Sequence, residues 1–554
     1  MQNIERPWLK NYPAEMPATI RPEDYPNLVA IIDEKLKKYA ARPAFTCFDK
    51  SLSFSDIDKY SQQFAAYLQT TGLKKGDKVA LMMPNILQYP IALFGVLRAG
   101  MTLVNTNPLY TPREMKHQFN DSGAKAIVII ENFASHLQGI IAETSIEKVI
   151  VTSMGEMLGL KGLIVNYIVR KKKKLVPPFS LPGSITFKSA LKIGAQNKFT
   201  PVPTQLDDVI ALQYTGGTTG LSKGAMLTNR NLVANCLQMI TITGTKLKDD
   251  GYEVAFCPLP LYHIYAFTVN CMGMFSMGAN NILVPNPRDM ASLIKDLKKY
   301  RPTIMIGINT LYNAMINNPE FQKLDFSQLK GASAGGMAVQ RIVAERWFEI
   351  TKTYMTEGWG MTETSPVASS NPFGEAGKIS TIGMPLPSTD MRIVDDNLNP
   401  VPTGVTGEIQ VRGPQVMKGY YNKPEATAEV IKDGWMCTGD IGIMDEDGYF
   451  KIVDRKKDMI LVSGFNVYPN EIEDVIMMHP KVLEVAAIGV KDERSGEVPK
   501  VFIVKRDPSL TSEEIIAHCR HNLTGYKIPK YVEFRNDLPK TNVGKILRRQ
   551  LRDS

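Results

Sequence analysis

Residues 56–105 read DIDKYSQQFAAYLQTTGLKKGDKVALMMPNILQYPIALFGVLRAGMTLVN. Positions 56–72 carry apolar residues at helical spacing, DKVALMM (77–83) is an apolar strand, NILQYPIALFGVLRAG (85–100) a second helix and MTLVN (101–105) a second strand. The order repeats in TPREMKHQFNDSG (111–123) followed by AKAIVII (124–130). Helices alternating with strands predict an α/β fold with parallel pairing, because a crossover must carry the chain back before the next strand can run the same way. Beyond about Lys457 shorter pieces take over, among them NEIEDVIMMHP, VLEVAAIGV, VPKVFIVKR and SEEIIAHCRHNL. They predict a separate, smaller α+β domain, so the expected division is a large layered domain over residues 1–456 and a small one over 457–554.

A chain of 554 residues exceeds one core, since domains run to about 150 residues. Hydrophobic residues make up 44% and charged residues 22%, which excludes a disordered chain. The net charge of +9 suits phosphate-bearing ligands or an anionic membrane surface and equally a merely basic exterior. Six cysteines without a CxxC pair exclude a disulfide framework and fit a reducing cytoplasm. The opening MQNIERPWLKNYPAEMP has charges and prolines where an export signal needs an apolar core. Prolines and asparagines break the uncharged stretch 254–287, so buried protein is expected there rather than a membrane span.

YTGGTTGLSKGA (214–225) follows the apolar run VIALQ and has the composition of a phosphate loop. Gly216, Gly217 and Gly220 let backbone N–H groups approach a ligand, Thr215, Thr218, Thr219 and Ser222 offer hydroxyls, and Lys223 supplies a mobile charge. A plain surface turn explains the glycines but not the hydroxyls and lysine. The order Ser222-Lys223-Gly224 is not a Walker A sequence, which sets ordinary P-loop ATPases behind.

Two other segments keep two readings open. PLPLYHIYAF (258–267) places His263 ahead of Tyr265, Phe267, Met272, Met274, Phe275 and Met277, which suits an apolar ligand or simply a core helix. Arg170–Lys174 is a run of five basic residues between apolar flanks, either a solvated loop or a seat on anionic lipid. His518 and His521 lack acidic or cysteine companions, so no zinc site is expected, and no nucleic-acid module is recognisable.

Further motifs follow the phosphate loop in order: GASAGGMAV (331–339), EGWGMTETSP (357–366), WMCTGD (435–440), DRKKDMI (454–460), GFNVYPNEIE (464–473) and PKTNVGKILRR (539–549), with NTNPLYTPRE (105–114) ahead of it. Together the chain resembles the adenylate-forming superfamily of acyl-CoA synthetases, luciferases and peptide-synthetase adenylation domains, and within it bacterial long-chain fatty-acid:CoA ligases. The resemblance implies that a carboxylate attacks the α-phosphate of ATP to give acyl-AMP and pyrophosphate, and that the thiol of CoA then displaces AMP. It places Tyr214 and the loop Thr215–Lys223 at the β- and γ-phosphates, Thr362 near the α-phosphate and Glu363 on Mg²⁺. Gly335, Gly336, Met337, Glu357 and Gly358 are implied to belong to the nucleotide site, with Trp359 on adenine where the family usually carries tyrosine. Asp440 and Arg455 are implied ribose contacts, and His263 stands beside the carboxylate. Lys545 is implied to bridge carboxylate and α-phosphate oxygens, Lys457 to be the hinge about which the small domain rotates between half-reactions, and Gly464 to border the pantetheine channel. The expected cofactors are ATP, Mg²⁺ and the co-substrate CoA.

An aromatic, coumarate-type or medium-chain acid:CoA ligase shares this chemistry, as does a stand-alone loader of an acyl carrier protein. A non-catalytic nucleotide-binding membrane scaffold is the rival of another class. The expected location is cytoplasmic, with peripheral contact to anionic membrane and homodimerisation left open, and Phe267 stands where some long-chain members carry a tryptophan gate.

Overall fold

The computed structural model describes residues 5–215, 222–247, 251–541 and 544–552. Two sheets built mainly of parallel strands dominate the large N-terminal region. In the 8-stranded sheet, Lys78–Met82, Thr102–Asn105, Ala124–Ile130, Lys148–Thr152 and Val209–Tyr214 run parallel, and Gly224–Thr228 returns antiparallel. In the 9-stranded sheet, Val254–Cys257, Ile304–Gly307, Gly331–Ala334 and Met355–Gly360 are parallel neighbours. Helices cover the sheets, so strands such as Ala124–Ile130 are almost wholly buried, which is why they read as unbroken apolar runs rather than alternating ones.

Local sequence fixes the element ends. Helix Pro112–Ser122 starts with a reciprocal cap in which Thr111 and Glu114 satisfy each other's backbone N–H groups, has proline in its first turn, and stops at Gly123 in the left-handed region (φ 64°). Helix Phe54–Thr70 carries the same kind of cap, from Ser53 and Asp56. The basic run lies at the end of a helix rather than in a loop: Leu160–Tyr167 is α-helical and continues through a wide π turn, Ile168–Lys172. The segment after His263 is likewise a short helix, Ile264–Thr268, continued by the π turn Val269–Met274.

A 5-stranded antiparallel sheet containing Trp435–Met444 and Phe450–Arg455 follows, and Asp440 faces Arg455 in register. The next strand, Ile460–Val462, pairs into another 5-stranded sheet with Phe465–Val467, Val482–Asp492, Gly496–Lys505 and Tyr531–Arg535. The chain changes sheet between Arg455 and Ile460. This second sheet and helices Pro469–Met477 and Ser512–Asn522 enclose their own apolar core, with Ile472, Ile476, Val485, Ile503 and Ile515 at its centre.

Candidate active site

Register aligns the carboxyl ends of the parallel strands, where α/β sheets place their ligands. Gly307 pairs with Ala334 and Ala334 with Glu357, so the turns after these strands share one edge. There Gly335 packs against the Gly358 carbonyl, from which a Cβ would lie 3.2 Å away, and Gly336 adopts φ 77°, which favours glycine. Met337 packs on the main core. Glu357 is buried and accepts a hydrogen bond from the Val339 N–H at 3.0 Å; burial raises its carboxyl to about 8, leaving it mostly protonated at neutral pH.

The phosphate loop leaves Val209–Tyr214 and returns on Gly224–Thr228, and Thr215 N–H donates to the Lys223 carbonyl at its neck, 3.0 Å away. Gly216, Gly217, Thr218, Thr219 and Gly220 lie outside the described residues. The Tyr214 hydroxyl donates to Asp121 at 2.7 Å, and His117 Nε2 lies 2.9 Å from the Ser222 carbonyl, so both flanks are held from helix Pro112–Ser122. Lys223 Nζ stands 5.1 Å from the ring centre of Tyr420, whose hydroxyl donates to Glu363 Oε1 at 2.6 Å. Tyr420 thus links the loop's cation to the metal-binding candidate. Its only signal in the sequence is GYYNKPEAT (419–427), which does not reveal that connection. Glu363 is 7% exposed and is the central residue of the turn Thr362–Thr364. One buried carboxylate beside a lysine fits Mg²⁺ carried by nucleotide phosphates, since that ion takes few protein carboxylates, and the described residues contain no three-ligand metal cluster.

Asp440 is 1% exposed, and both its oxygens are engaged. Arg455 Nε meets Oδ1 at 2.6 Å, and the Trp359 indole N–H donates to Oδ2 at 2.9 Å. Trp359 itself is 7% exposed, packed with Ala368, Met384 and Met391. Little of its ring is open for stacking, so in this arrangement its clearest polar task is holding Asp440.

Lys545 enters from the C-terminal module. Gly544 (φ 81°) lies against Ile308, which also abuts Gly336, and its carbonyl accepts a hydrogen bond from Thr310 at 3.2 Å. Solvent still reaches Lys545, as it does a side chain standing in a cleft, but close protein walls lower its amine to about 8 by loss of hydration, with repulsion from Arg455 adding to this. The same charge reaches His263, which burial first and Lys545 second bring down to about 4, so that imidazole is neutral at pH 7. His263 Nδ1 accepts from the Tyr265 N–H at 3.3 Å. The preceding loop is held by Asn85, which donates to the Cys257 and Leu259 carbonyls, and by Tyr89, which donates to that of Leu261. Arg548, the first residue of helix Arg548–Arg552, binds both Glu473 oxygens and Asn470 at 2.8 Å each, fastening the segment just after Lys545 to helix Pro469–Met477.

Lys457 lies within electrostatic reach of Lys545, and burial and Arg455 lower its amine. Gly464 is not brought to the site: it occupies an exposed hairpin turn with φ 87° and nothing within 4 Å of a Cβ built there. Phe267 is fully buried, and Phe275 stacks on Phe54 with ring centres 4.6 Å apart, so the predicted apolar lining forms part of the main core.

Comparison with known proteins identifies the family. Residues 32–421 match the AMP-binding enzyme family and residues 471–545 the AMP-binding enzyme C-terminal domain. The long-chain-fatty-acid–CoA ligase of Escherichia coli O6:H1 is 54% identical over 552 residues, covering 99% of this chain and 98% of that protein. The Haemophilus influenzae enzyme of the same name is 50% identical over 553 residues with the same coverage. The crystal structure of the anthranilate CoA ligase AuaEII with anthranoyl-AMP superposes with a TM-score of 0.86 at 24% identity, covering 96% of this chain and 98% of that one, and shares its fold. With its large region and its C-terminal module both matched and a relative 54% identical along 99% of its length, the chain belongs to the AMP-binding enzyme family.

Proposed function

We propose that the protein activates long-chain fatty acids to their CoA thioesters at the expense of ATP. A carboxylate oxygen attacks the α-phosphorus, the bond to the bridging oxygen breaks, and pyrophosphate leaves with that electron pair. The CoA thiolate, its proton given to solvent, then attacks the acyl carbonyl, and AMP departs. The observation that supports this reading is Lys545: a cation from the small module lies within electrostatic reach of Asp440, Arg455 and neutral His263, beside the Gly544 contact with Ile308, where negative charge must be neutralised.

In this reading Thr215, Ser222, Lys223 and the intervening glycines and threonines cradle the β- and γ-phosphates, and Thr362 meets the α-phosphate. Glu363, steadied by Tyr420, would hold Mg²⁺, which when bound neutralises phosphate charge. Asp440, fixed from both sides, accepts the ribose hydroxyls, while Gly335, Gly336, Met337, Glu357 and Gly358 wall the nucleotide. Lys457, in the short link between sheets, is the pivot that divides residues 1–456 from 457–554, and rotation there brings Gly464 to the CoA channel. The fatty-acid assignment over aromatic acids is supported by long-chain ligases 50% and 54% identical along nearly the whole chain. We place the enzyme in the cytoplasm, in contact with a membrane.

The test is CoA-dependent AMP release with ATP and Mg²⁺ across acids from acetate through palmitate and oleate to coumarate. A maximum at the long chains is expected. A maximum on aromatic or short acids would keep the chemistry and overturn the substrate, and AMP release indifferent to acid and CoA would overturn the ligase.

A further inference from the structure

Helix Leu160–Tyr167 has its polarity reversed. Leu160, Leu163, Ile164 and Tyr167, at positions i, i+3, i+4 and i+7, form one stripe, and their exposures are 86%, 70%, 63% and 57%. The opposite face is fastened to the protein largely by polar contacts. Asn166 accepts a hydrogen bond from the Gly155 N–H at 2.7 Å and donates to Ser153 at 2.9 Å, and Gly162 fits so closely on Gly155 that any Cβ would strike that residue's carbonyl. Lys161 donates to the Phe48 carbonyl at 2.8 Å. Hydrophobic burial alone would turn the stripe inward; these contacts hold it outward.

The basic run continues from the end of this stripe. Arg170 is committed to the protein, binding Glu131 through Nε and Nη2 at 2.7–3.0 Å. Lys171, Lys172, Lys173 and Lys174 are exposed, and Leu175, beyond them, is 52% exposed. Large apolar side chains on one rigid face, flanked by solvated lysines, match the boundary between acyl chains and anionic headgroups.

We infer that Leu160, Leu163, Ile164 and Tyr167 enter the interfacial layer of an anionic lipid bilayer while Lys171–Lys174 bind its headgroups. A second copy of the chain fits less well, because a two-fold contact through four side chains is small for a stable interface and brings the two lysine runs together. The inference deepens the membrane contact proposed above by naming the surface that makes it, and rests on the proposed substrate only for its purpose, since a long-chain acid partitions into bilayers.

The experiment is co-sedimentation of the full chain with phosphatidylcholine vesicles, with and without phosphatidylglycerol and without substrate. Binding only to the anionic vesicles is expected, falling with added salt. The double variant Leu163→Glu, Ile164→Glu should lose about tenfold or more of it, and the quadruple variant Lys171→Gln, Lys172→Gln, Lys173→Gln, Lys174→Gln about a hundredfold or more. Both variants should keep wild-type ligase activity on decanoate in the absence of vesicles, since exposed side chains carry neither fold nor site. Vesicle binding by both variants equal to wild type, or none by the wild type, would overturn the inference. So would a stripe variant that changes the sedimentation coefficient of the protein alone, which would mark self-association. Failure of the ligase assay with vesicle binding intact would instead count against the proposed function.

Discussion

Two glycine turns of the C-terminal module have opposite placements. Gly544, beside Lys545, is pressed onto Ile308 of the large domain, where a Cβ would lie 2.7 Å from that side chain. Gly464, on the hairpin between Ile460–Val462 and Phe465–Val467, stands free in solvent. Both have positive φ, but only one touches anything. In this arrangement only the Gly544 turn meets the large domain, whereas the proposed two half-reactions call for different groups at one cleft. The nucleotide side, by contrast, is already interlocked: Trp359, Asp440 and Arg455 form one chain of contacts, and Lys223, Tyr420 and Glu363 another.

The comparison breaks most sharply at Lys545. Lys545→Ala should cost about 3 kcal/mol, roughly a hundredfold or more, in acyl-AMP formation, as loss of a preorganised charge does. Thioester formation from supplied acyl-AMP should hardly change, and equal loss in both would refute the placement. The lowered amine adds a pH test. Because the charged form is the useful one, adenylation in wild type should decline as pH rises through about 8, and Lys545→Arg, which stays charged, should move that limb upward.

The reverse pattern is expected at Gly464. In Gly464→Leu the new Cβ has no neighbour within 4 Å in the present arrangement, and the left-handed backbone costs about 1–2 kcal/mol locally. Adenylation should stay near wild type, whereas thioester formation should fall about tenfold or more through misplacement of CoA. Rapid-quench measurement of each half-reaction decides it; a deficit confined to adenylation would sink the two-turn account.

Sequence reading reached the layered α/β architecture because alternation, caps and breakers are local signals, and it reached the family because six motifs recur in order. What it could not reach depends on partners far along the chain. Tyr420 earns notice only when Glu363, distant in sequence, is found on its hydroxyl. Asn85 and Tyr89 hold the loop before His263 from a segment that reads only as a helix start. The outward stripe of Leu160–Tyr167 also escapes, since an apolar period shows that a helix has a face but not which way it turns. Trp359 was legible as an aromatic departure, but not as a donor to Asp440.

That donor gives the smallest effect and the finest distinction. Trp359→Phe keeps a ring in the packing and removes the N–H that faces Asp440 Oδ2 at 2.9 Å. A hydrogen bond to a charged group is worth about 1.5 kcal/mol, so the KM for ATP should rise roughly tenfold or less with kcat little changed. If the bond serves the ribose carboxylate, the penalty for replacing ATP by 2′-deoxy-ATP should shrink in Trp359→Phe, because a loosened Asp440 gains less from the hydroxyl it is meant to receive. A purely packing role would weaken both nucleotides alike and leave their ratio unmoved, which is why the ratio, rather than either KM, decides whether the nucleotide side is preformed by this contact.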